Sequence, residues 1–445
     1  MSPATGAVTD ALRELHSRYA GDGQGELADY IPQLALADPG AFGLALISMD
    51  GHLYSAGDAG VPFTVQSVSK PFVYALALSL LGLDEVSRWV NAEPSGEAFN
   101  AISLERSTGR PANAMVNAGA IVTTALIPDT PVAPRFGRIL DCLSRFAGRR
   151  LDVDEEVYAS EAATGDRNRA LAYLIRSTGP LPVDPVAAVE TYFRQCSVRV
   201  TALDLAAMAA TLAHGGVNPL TGDRVVAEPV AAQVLAVMAT CGMYDGSGDW
   251  LLRVGLPAKS GVSGGLIAAG PARFGLAAYS PLLDPGGTSV RGRLAIGRLS
   301  ERLGLHLMHN PALAASTVTL VTTADDLPAG PQAERGQPGR GRVAVAAAQG
   351  ALDFTAAERV LYALDEAGTG RTGAVVLDLV RVTDIDTVAR AMLRGGLARL
   401  AADGRHTAVA DPDGRLREPG EEAGSTRSFA SREEAVAACR ATASG

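Results

Sequence analysis

Residues 66–72 read "QSVSKPF", and the lysine in fifth place is the residue to explain. Of the 39 lysine and arginine residues in the chain, only two, Lys70 and Lys259, are lysine. Arginine stays charged in any protein site, whereas lysine becomes a neutral base where its site lowers its pKa. Two retained lysines in an arginine-writing chain therefore suggest two positions that need an amine. Composition bias alone would also leave a stray lysine or two, so the neighbours decide. Ser67 lies three residues before Lys70. The apolar run "KPFVYALALSLL" (70–81) that follows is helix-length and stops at Gly82, a C-cap residue. Residues i and i+3 share a helix face, so the Ser67 hydroxyl and the Lys70 amine meet at the start of a predicted helix. A lysine there can activate serine, a weak nucleophile on its own. The helix N-terminus offers backbone N–H groups to developing negative charge.

A serine and a lysine three apart recur often by chance, so the second lysine carries much of the weight. Lys259 opens "KSG" (259–261), late in the chain and within short apolar runs. S-x-x-K followed by K-[ST]-G resembles the serine β-lactamase and transpeptidase group, and both lysines fall inside the pair of motifs. The surrounding pattern predicts an α+β domain. Residues 8–20 are helix-periodic. In "AFGLALISMDGHLYSAGDAG" (41–60) two apolar runs flank Asp50-Gly51, a hairpin signal. Residues 65–245 read as mostly helical, and "LPAKSGVSGGLIAAGPARFGLAAYS" (256–280) returns to strand character. Strands first and last with helices between predict a sheet assembled from both ends.

Length and composition frame this reading. A chain of 445 residues suggests two or three domains. With 47% hydrophobic and 20% charged residues it is of ordinary globular composition. The net charge of −9 argues against a nucleic-acid partner. The first twenty residues lack the charged flank and apolar core of a secretory leader, and "FVYALALSLLGL" (72–83) is too short to span a bilayer. The expectation is a soluble cytoplasmic protein with no membrane contact. Cys142, Cys196, Cys241 and Cys439 lack metal-ligand spacing and read as buried thiols. His306 and His309 read as ordinary histidines, and no phosphate-binding lysine loop occurs. The segment "ADDLPAGPQAERGQPGRGR" (324–342) reads as an exposed linker.

The blocks "ADYIPQLA" (28–35), "VPFTVQSVSKPF" (61–72), "EPSGEAFN" (93–100), "MVNAGAIV" (115–122), "SEAATGDRN" (160–168), "TYFRQCSV" (191–198), "MAATLAHGGVNPLTGDRV" (208–225), "TCGMYDGSGDW" (240–250) and "GLPAKSGVSGG" (255–265) are similar, in order, to those of the serine-dependent glutaminases. The resemblance covers roughly residues 24–306 and implies a β-lactamase-like fold. It implies hydrolysis of L-glutamine to L-glutamate and ammonia, with no metal or organic cofactor and with homo-oligomeric assembly. It implies Ser67 as nucleophile with Lys70 as its partner, and the N–H groups of Ser67 and Val262 as an oxyanion hole. Tyr244 would share in proton transfer; whether it or Lys70 is the base stays open. Lys259, as a second positive centre, would help keep Lys70 neutral. Tyr30 and Gln66 would line the pocket, and Asn117, Glu161, Asn168 and Tyr192 would hold the substrate. Glutamine is a zwitterion, so a carboxylate suits its ammonium and amide or phenol donors suit its carboxylate. Taken singly, these residues read as a surface charge, a helix core residue and turn asparagines; the ordered blocks reverse that. Another serine amidase of the β-lactamase type, or a non-catalytic scaffold, are the alternatives. The first lacks its S-D-N triplet here, and the second sits poorly with intact Ser67, Lys70 and Lys259. Trp89 and Trp250 read as structural.

Beyond the linker, strands and helices alternate, which predicts parallel βαβ units. "VVLDLVRVTDIDTVARAML" (375–393) resembles the STAS fold. Phospho-regulated members carry Asp-Ser-[ST]-Gly at the helix start. Here the turn is Asp386-Thr387-Val388-Ala389, so the phosphate-accepting place holds a valine, and Thr387 remains a weak candidate for phosphorylation. A packing or self-association module, or a docking site for a protein partner, is expected rather than a kinase-read switch. The expected layout is an N-terminal extension (1–23), a glutaminase domain (24–310), a connector (311–341) and a STAS-like domain (342–440).

Overall fold

A computed structural model of the chain describes residues 6–96, 104–105, 107–179, 181–308, 318–323, 342–367, 372–417 and 428–442. The chain divides into two compact units, residues 1–309 and 310–445. The first runs α1 (Gly6–Tyr19), α2 (Pro32–Ala35), β1 (Gly43–Ser48), β2 (Leu53–Gly57), β3 (Phe63–Thr64), a 3₁₀ turn (Gln66–Ser69), α3 (Lys70–Leu81) and α4 (Leu83–Ser87). It continues with α5 (Asn117–Leu126), α6 (Arg135–Ala147), α7 (Glu155–Thr164), α8 (Asp166–Thr178), α9 (Pro185–Cys196), β4 (Arg199–Val200), α10 (Ala202–Ala213), α11 (Glu228–Cys241), a second 3₁₀ turn (Tyr244–Gly246) and α12 (Ser247–Arg253). Strands β5 (Ala258–Ser260), β6 (Gly265–Gly270) and β7 (Phe274–Tyr279) and helix α13 (Val290–Leu303) close it.

The five-stranded sheet has the order β2-β1-β7-β6-β5, antiparallel throughout. The early hairpin thus pairs with strands from the far end, as the strand–helix–strand order predicts. Apart from the edge strand β2, its strands are buried on both faces, and side chains alternate between two cores as the period of two requires. Ala45, Ile47, Ile267, Ala269, Ala277 and Tyr279 join the helical layer. Leu44, Leu46, Leu266, Ala268, Leu276 and Ala278 face the other core, with Leu12 and Leu15 of α1, Trp250, and Ile296 and Leu299 of α13. Residues 6–19 are therefore not an appended extension. Helix α1 closes one face of the sheet, and its His16 Nε2 lies 2.9 Å from the Phe42 carbonyl with the two rings stacked. Helix α3 is buried over its first six residues because it runs through the centre of the unit, and it stops where the Gly82 N–H donates to the Leu78 carbonyl.

The second unit holds β8 (Val318–Thr323), β9 (Arg342–Leu352), α14 (Phe354–Ala367), β10 (Thr372–Ile385), α15 (Thr387–Ala402), β11 (His406–Ala410), β12 (Ser428–Phe429) and α16 (Arg432–Thr442). Strands β9 to β12 are parallel, as the alternation predicts, in the order β12-β11-β10-β9-β8. Helices α14 and α15 pack on one face and α16 on the other. Strand β8 falls inside the segment expected to be a connector. Its run "VTLVTT" is rich in β-branched residues and adds an antiparallel edge to β9, so the second unit starts before the Pro/Gly-rich segment. That segment (324–341) and residues 97–100 of the third family block lie outside the described residues, as does His309. At the start of α15, Asp386 is the N-cap and accepts from the Ala389 N–H at 2.6 Å, while Val388 is exposed.

A chain ending at residue 310 should fold on its own, since it keeps both cores of the first unit. A cooperative thermal transition with native-like helical circular dichroism is the expected result. A molten, non-cooperative product would show that the two units are not independent.

Candidate active site

Ser67 and Lys70 are set by the 3₁₀ turn that feeds α3. Residues three apart in such a turn stack over one another, so the sequence spacing becomes spatial adjacency. The turn starts at Gln66 with φ +46°, a left-handed backbone that a non-glycine residue adopts only where its surroundings enforce it. Lys70 has no exposed surface. Its Nζ donates to the Met115 carbonyl at 3.2 Å and to Asn117 Oδ1 at 2.7 Å. Those two bonds use both N–H groups of a neutral amine and leave its lone pair. Burial pushes the Lys70 pKa down to about 7, against a small opposing effect of the Cys196 thiol.

Lys259 reaches the same place from β5. Its Nζ donates to the Ser260 carbonyl at 2.7 Å and sits 3.9 Å from the centre of the Tyr244 ring, with Lys70 Nζ at 5.6 Å from that centre. Two glycines permit this approach. A side chain at Gly261 would press on Val68 and the Val65 carbonyl of the nucleophile turn, and one at Gly242 would overlap the Ala258 carbonyl of β5. Burial and then the charge of Lys70 hold Lys259 well below the usual lysine range. Burial is the first cause for both amines, and each ammonium disfavours the charged form of the other. Tyr244 has φ +56°. Burial raises its phenol above the usual range, and the Ser67 hydroxyl, bonding to it, works the other way.

The remaining expected residues converge on this centre. Tyr192 on α9 donates to Asn117 Oδ1 at 3.4 Å, and Asn117 Nδ2 donates to Asn168 Oδ1 on α8 at 3.1 Å. Asn117 Oδ1 faces two donors and its Nδ2 an acceptor, which fixes the amide orientation. Glu161 on α7 is buried, and burial raises its pKa while bonds from Gln66 and Tyr30 oppose the rise. Half of the Tyr30 surface is exposed, yet its hydroxyl points inward, 3.1 Å from Gln66 Oε1 and 3.3 Å from Glu161 Oε1. Val262 is buried in the turn after β5, and its N–H meets no acceptor among the described residues. Cys196 escaped the sequence reading as a site residue. One helical turn after Tyr192, its thiol contacts that phenol and is pushed up to about 12 by burial and then by Glu161. Its i+4 spacing from Tyr192 was the available signal. All four cysteines are free and buried, as read. Among the described residues no group of three His, Cys, Asp or Glu could hold a metal ion, and no helix is long and apolar enough to cross a membrane.

Both units resemble known proteins. The Glutaminase family model matches residues 25–308, and the STAS domain model matches residues 337–437. The glutaminase of Corynebacterium efficiens is 44% identical over 414 residues, covering 92% of this chain and 94% of its own length. Glutaminase 2 of Bradyrhizobium diazoefficiens is 52% identical over 307 residues, but the chain spans only 49% of that longer protein. The crystal structure of Mglu in its glutamate form superposes with a TM-score of 0.79 at 42% identity, covering 91% of this chain and 98% of Mglu.

If Lys70 works as a neutral base, Lys70→Arg, which keeps the charge but cannot lose a proton, should lower kcat by about 100- to 10,000-fold. Lys70→Ala should do at least as much, with circular dichroism unchanged. The neutral form dominates above its pKa, so wild-type kcat/KM should rise as pH climbs through about 7 and fall away below it. Near-wild-type turnover in the arginine variant would contradict this role.

Proposed function

Because this chain belongs to the glutaminase family, we propose that it hydrolyses L-glutamine to L-glutamate and ammonia through an ester on Ser67. The observation that carries the reading is a nucleophile turn and a zwitterion-sized polar set meeting around two buried lysines. Ser67 Oγ attacks the side-chain carbonyl carbon while its proton passes to the Lys70 lone pair, with Tyr244 beside both. The N–H groups of Ser67 and Val262 receive the oxyanion; one such donor typically supplies about 3–4 kcal/mol. The carbon–nitrogen bond breaks, the proton returns to the departing nitrogen, and ammonia leaves. Water then attacks the glutamyl ester with Lys70 again as base, releasing glutamate and restoring Ser67. Glu161, with Tyr30 and Gln66 beside it, takes the substrate ammonium. Asn117, Asn168 and Tyr192 take its carboxylate. Lys259, neutral, supports the Tyr244 ring. The glutamate form of Mglu supports the product side of this assignment.

A cytoplasmic setting belongs to the same reading, supported by four free buried thiols. So does homo-oligomeric assembly, a trait of the family, with the STAS domain as a packing or partner-docking module. The exposed Val388 at the helix start favours that role over a phosphorylation switch.

Ammonia release from glutamine, asparagine and a β-lactam tests the proposal. The clamps fix the α-carbon, so a side chain one methylene shorter holds its carbonyl away from Ser67. Misplacement of that order costs about 100-fold in rate. Glutamine should therefore exceed asparagine in kcat/KM by about that factor, and the β-lactam should give no turnover. Comparable values for the two amino acids would sink the clamp assignment, and β-lactam turnover would favour another serine amidase.

A further inference from the structure

Both reactive hydroxyls of the site sit in turns built in the same unusual way. Among the described residues, the non-glycine positive-φ positions are Gln66, Tyr244 and Ala272. Two of these three are at the site: Gln66 directly precedes Ser67, and Tyr244 is the phenol itself. In each case a 3₁₀ turn follows, and a buried serine three residues on donates its hydroxyl to the carbonyl of the left-handed residue. Ser69 Oγ donates to the Gln66 carbonyl at 2.7 Å, and Ser247 Oγ donates to the Tyr244 carbonyl at 2.8 Å. Each serine oxygen also accepts an N–H: Gln195 Nε2 at 3.0 Å for Ser69, and the Met243 N–H at 3.0 Å for Ser247.

The first turn is anchored further. Thr124 Oγ1 on α5 donates to Gln195 Oε1 on α9 at 2.8 Å. Ser69, Gln195 and Thr124 have no exposed surface. The chain is directional, with each donor used once: Thr124 hydroxyl to Gln195 carbonyl, Gln195 amide to Ser69 oxygen, Ser69 hydroxyl to Gln66 carbonyl. It ties the nucleophile turn to the two helices that carry Asn117 and Tyr192, three residues from Gln195. A buried relay in which every member is satisfied enforces one geometry, whereas a broken one leaves unpaired polar groups.

We propose that Ser69 and Ser247 are positioning residues that hold the left-handed turns of Ser67 and Tyr244, and that Gln195 and Thr124 register the first turn against the substrate clamp. Both serines are buried, and their hydroxyls are engaged within the turns. The proposal rests on the glutaminase reading only for the substrate used to measure it.

The test compares Ser69→Ala, Ser247→Ala, Thr124→Val and Thr124→Ser in the full chain. A displaced nucleophile with an intact clamp should lower kcat rather than raise KM. Ser69→Ala and Ser247→Ala should each lose about 10- to 100-fold in kcat with KM within about threefold. Thr124→Val, which replaces the hydroxyl with a methyl of similar size, should lose at least about fivefold, and Thr124→Ser, which keeps the hydroxyl, should stay within about twofold of wild type. The second readout is the rate at which a fluorophosphonate phosphonylates Ser67, losing fluoride as the Ser67–phosphorus bond forms. It needs an ordered nucleophile but not glutamine. Labelling of wild-type Ser67 without glutamine turnover would refute the glutaminase reading alone, and the relay would then be judged on labelling rates. Alanine variants that melt earlier but keep wild-type kcat and labelling rates would overturn the proposal. If Ser69→Ala does not fold, equal rates for Thr124→Val and Thr124→Ser would overturn it and the predicted split would sustain it.

Discussion

Two lysine amines are enclosed completely, with no carboxylate paired to either among the described residues. Removing an unpaired ammonium from water is costly enough that the group gives up its proton instead. That constraint organises the first unit. Helix α3 must be buried nearly all round to desolvate Lys70, and β5 must run close against the nucleophile turn to bring Lys259 over the Tyr244 ring. The glycines at 242 and 261 are what the second requirement looks like in sequence. A neutral Lys70 has two N–H groups, and the site supplies two acceptors, the Met115 carbonyl and Asn117 Oδ1. Protonation would add a third donor to a place arranged for two.

The topology serves the same end. Because the sheet is assembled from both ends of the unit, its late strand β5 delivers Lys259 and Val262 to a turn that leaves the sheet layer near its start. The helices between contribute the groups suited to a small zwitterion. Asn117 starts α5, Glu161 lies on α7, Asn168 on α8 and Tyr192 on α9. The arrangement separates labour. Strand and turn backbones hold the two hydroxyls of the proposed reaction, while four helices carry the groups we assign to the substrate's charges. Asn117 belongs to both sets, since its one oxygen accepts from Lys70 and from Tyr192.

Much of this was legible in the residues. The rarity of lysine picked out the two central amines, Asp50-Gly51 marked the hairpin, and alternating strands and helices marked the second unit. Other features were not, for identifiable reasons. Helix α1 looked like an appendage because the sheet face it covers is completed only when β6 and β7, more than two hundred positions on, join β1 and β2. Strand β8 was hidden because it is cut off from its partner by the Pro/Gly-rich segment. How completely both amines are enclosed follows from the packing, which spacing does not encode. No motif or spacing singles out Ser69, Gln195, Thr124 and Ser247. Their significance lies in the left-handed backbone at Gln66 and Tyr244, and neither residue is a glycine that would have announced it.

The rarity that opened the reading also allows its most direct test. In protein labelled with ¹³C at lysine Cε, a chain with two lysines yields two lysine side-chain signals, which Lys70→Arg assigns. The account predicts that the Lys70 signal titrates with a midpoint of about 7 and that the Lys259 signal also titrates well below the usual lysine range. Two signals that both titrate near the ordinary lysine value of about 10.4 would mean that both amines are charged at neutral pH, and Lys70 could not then be the base.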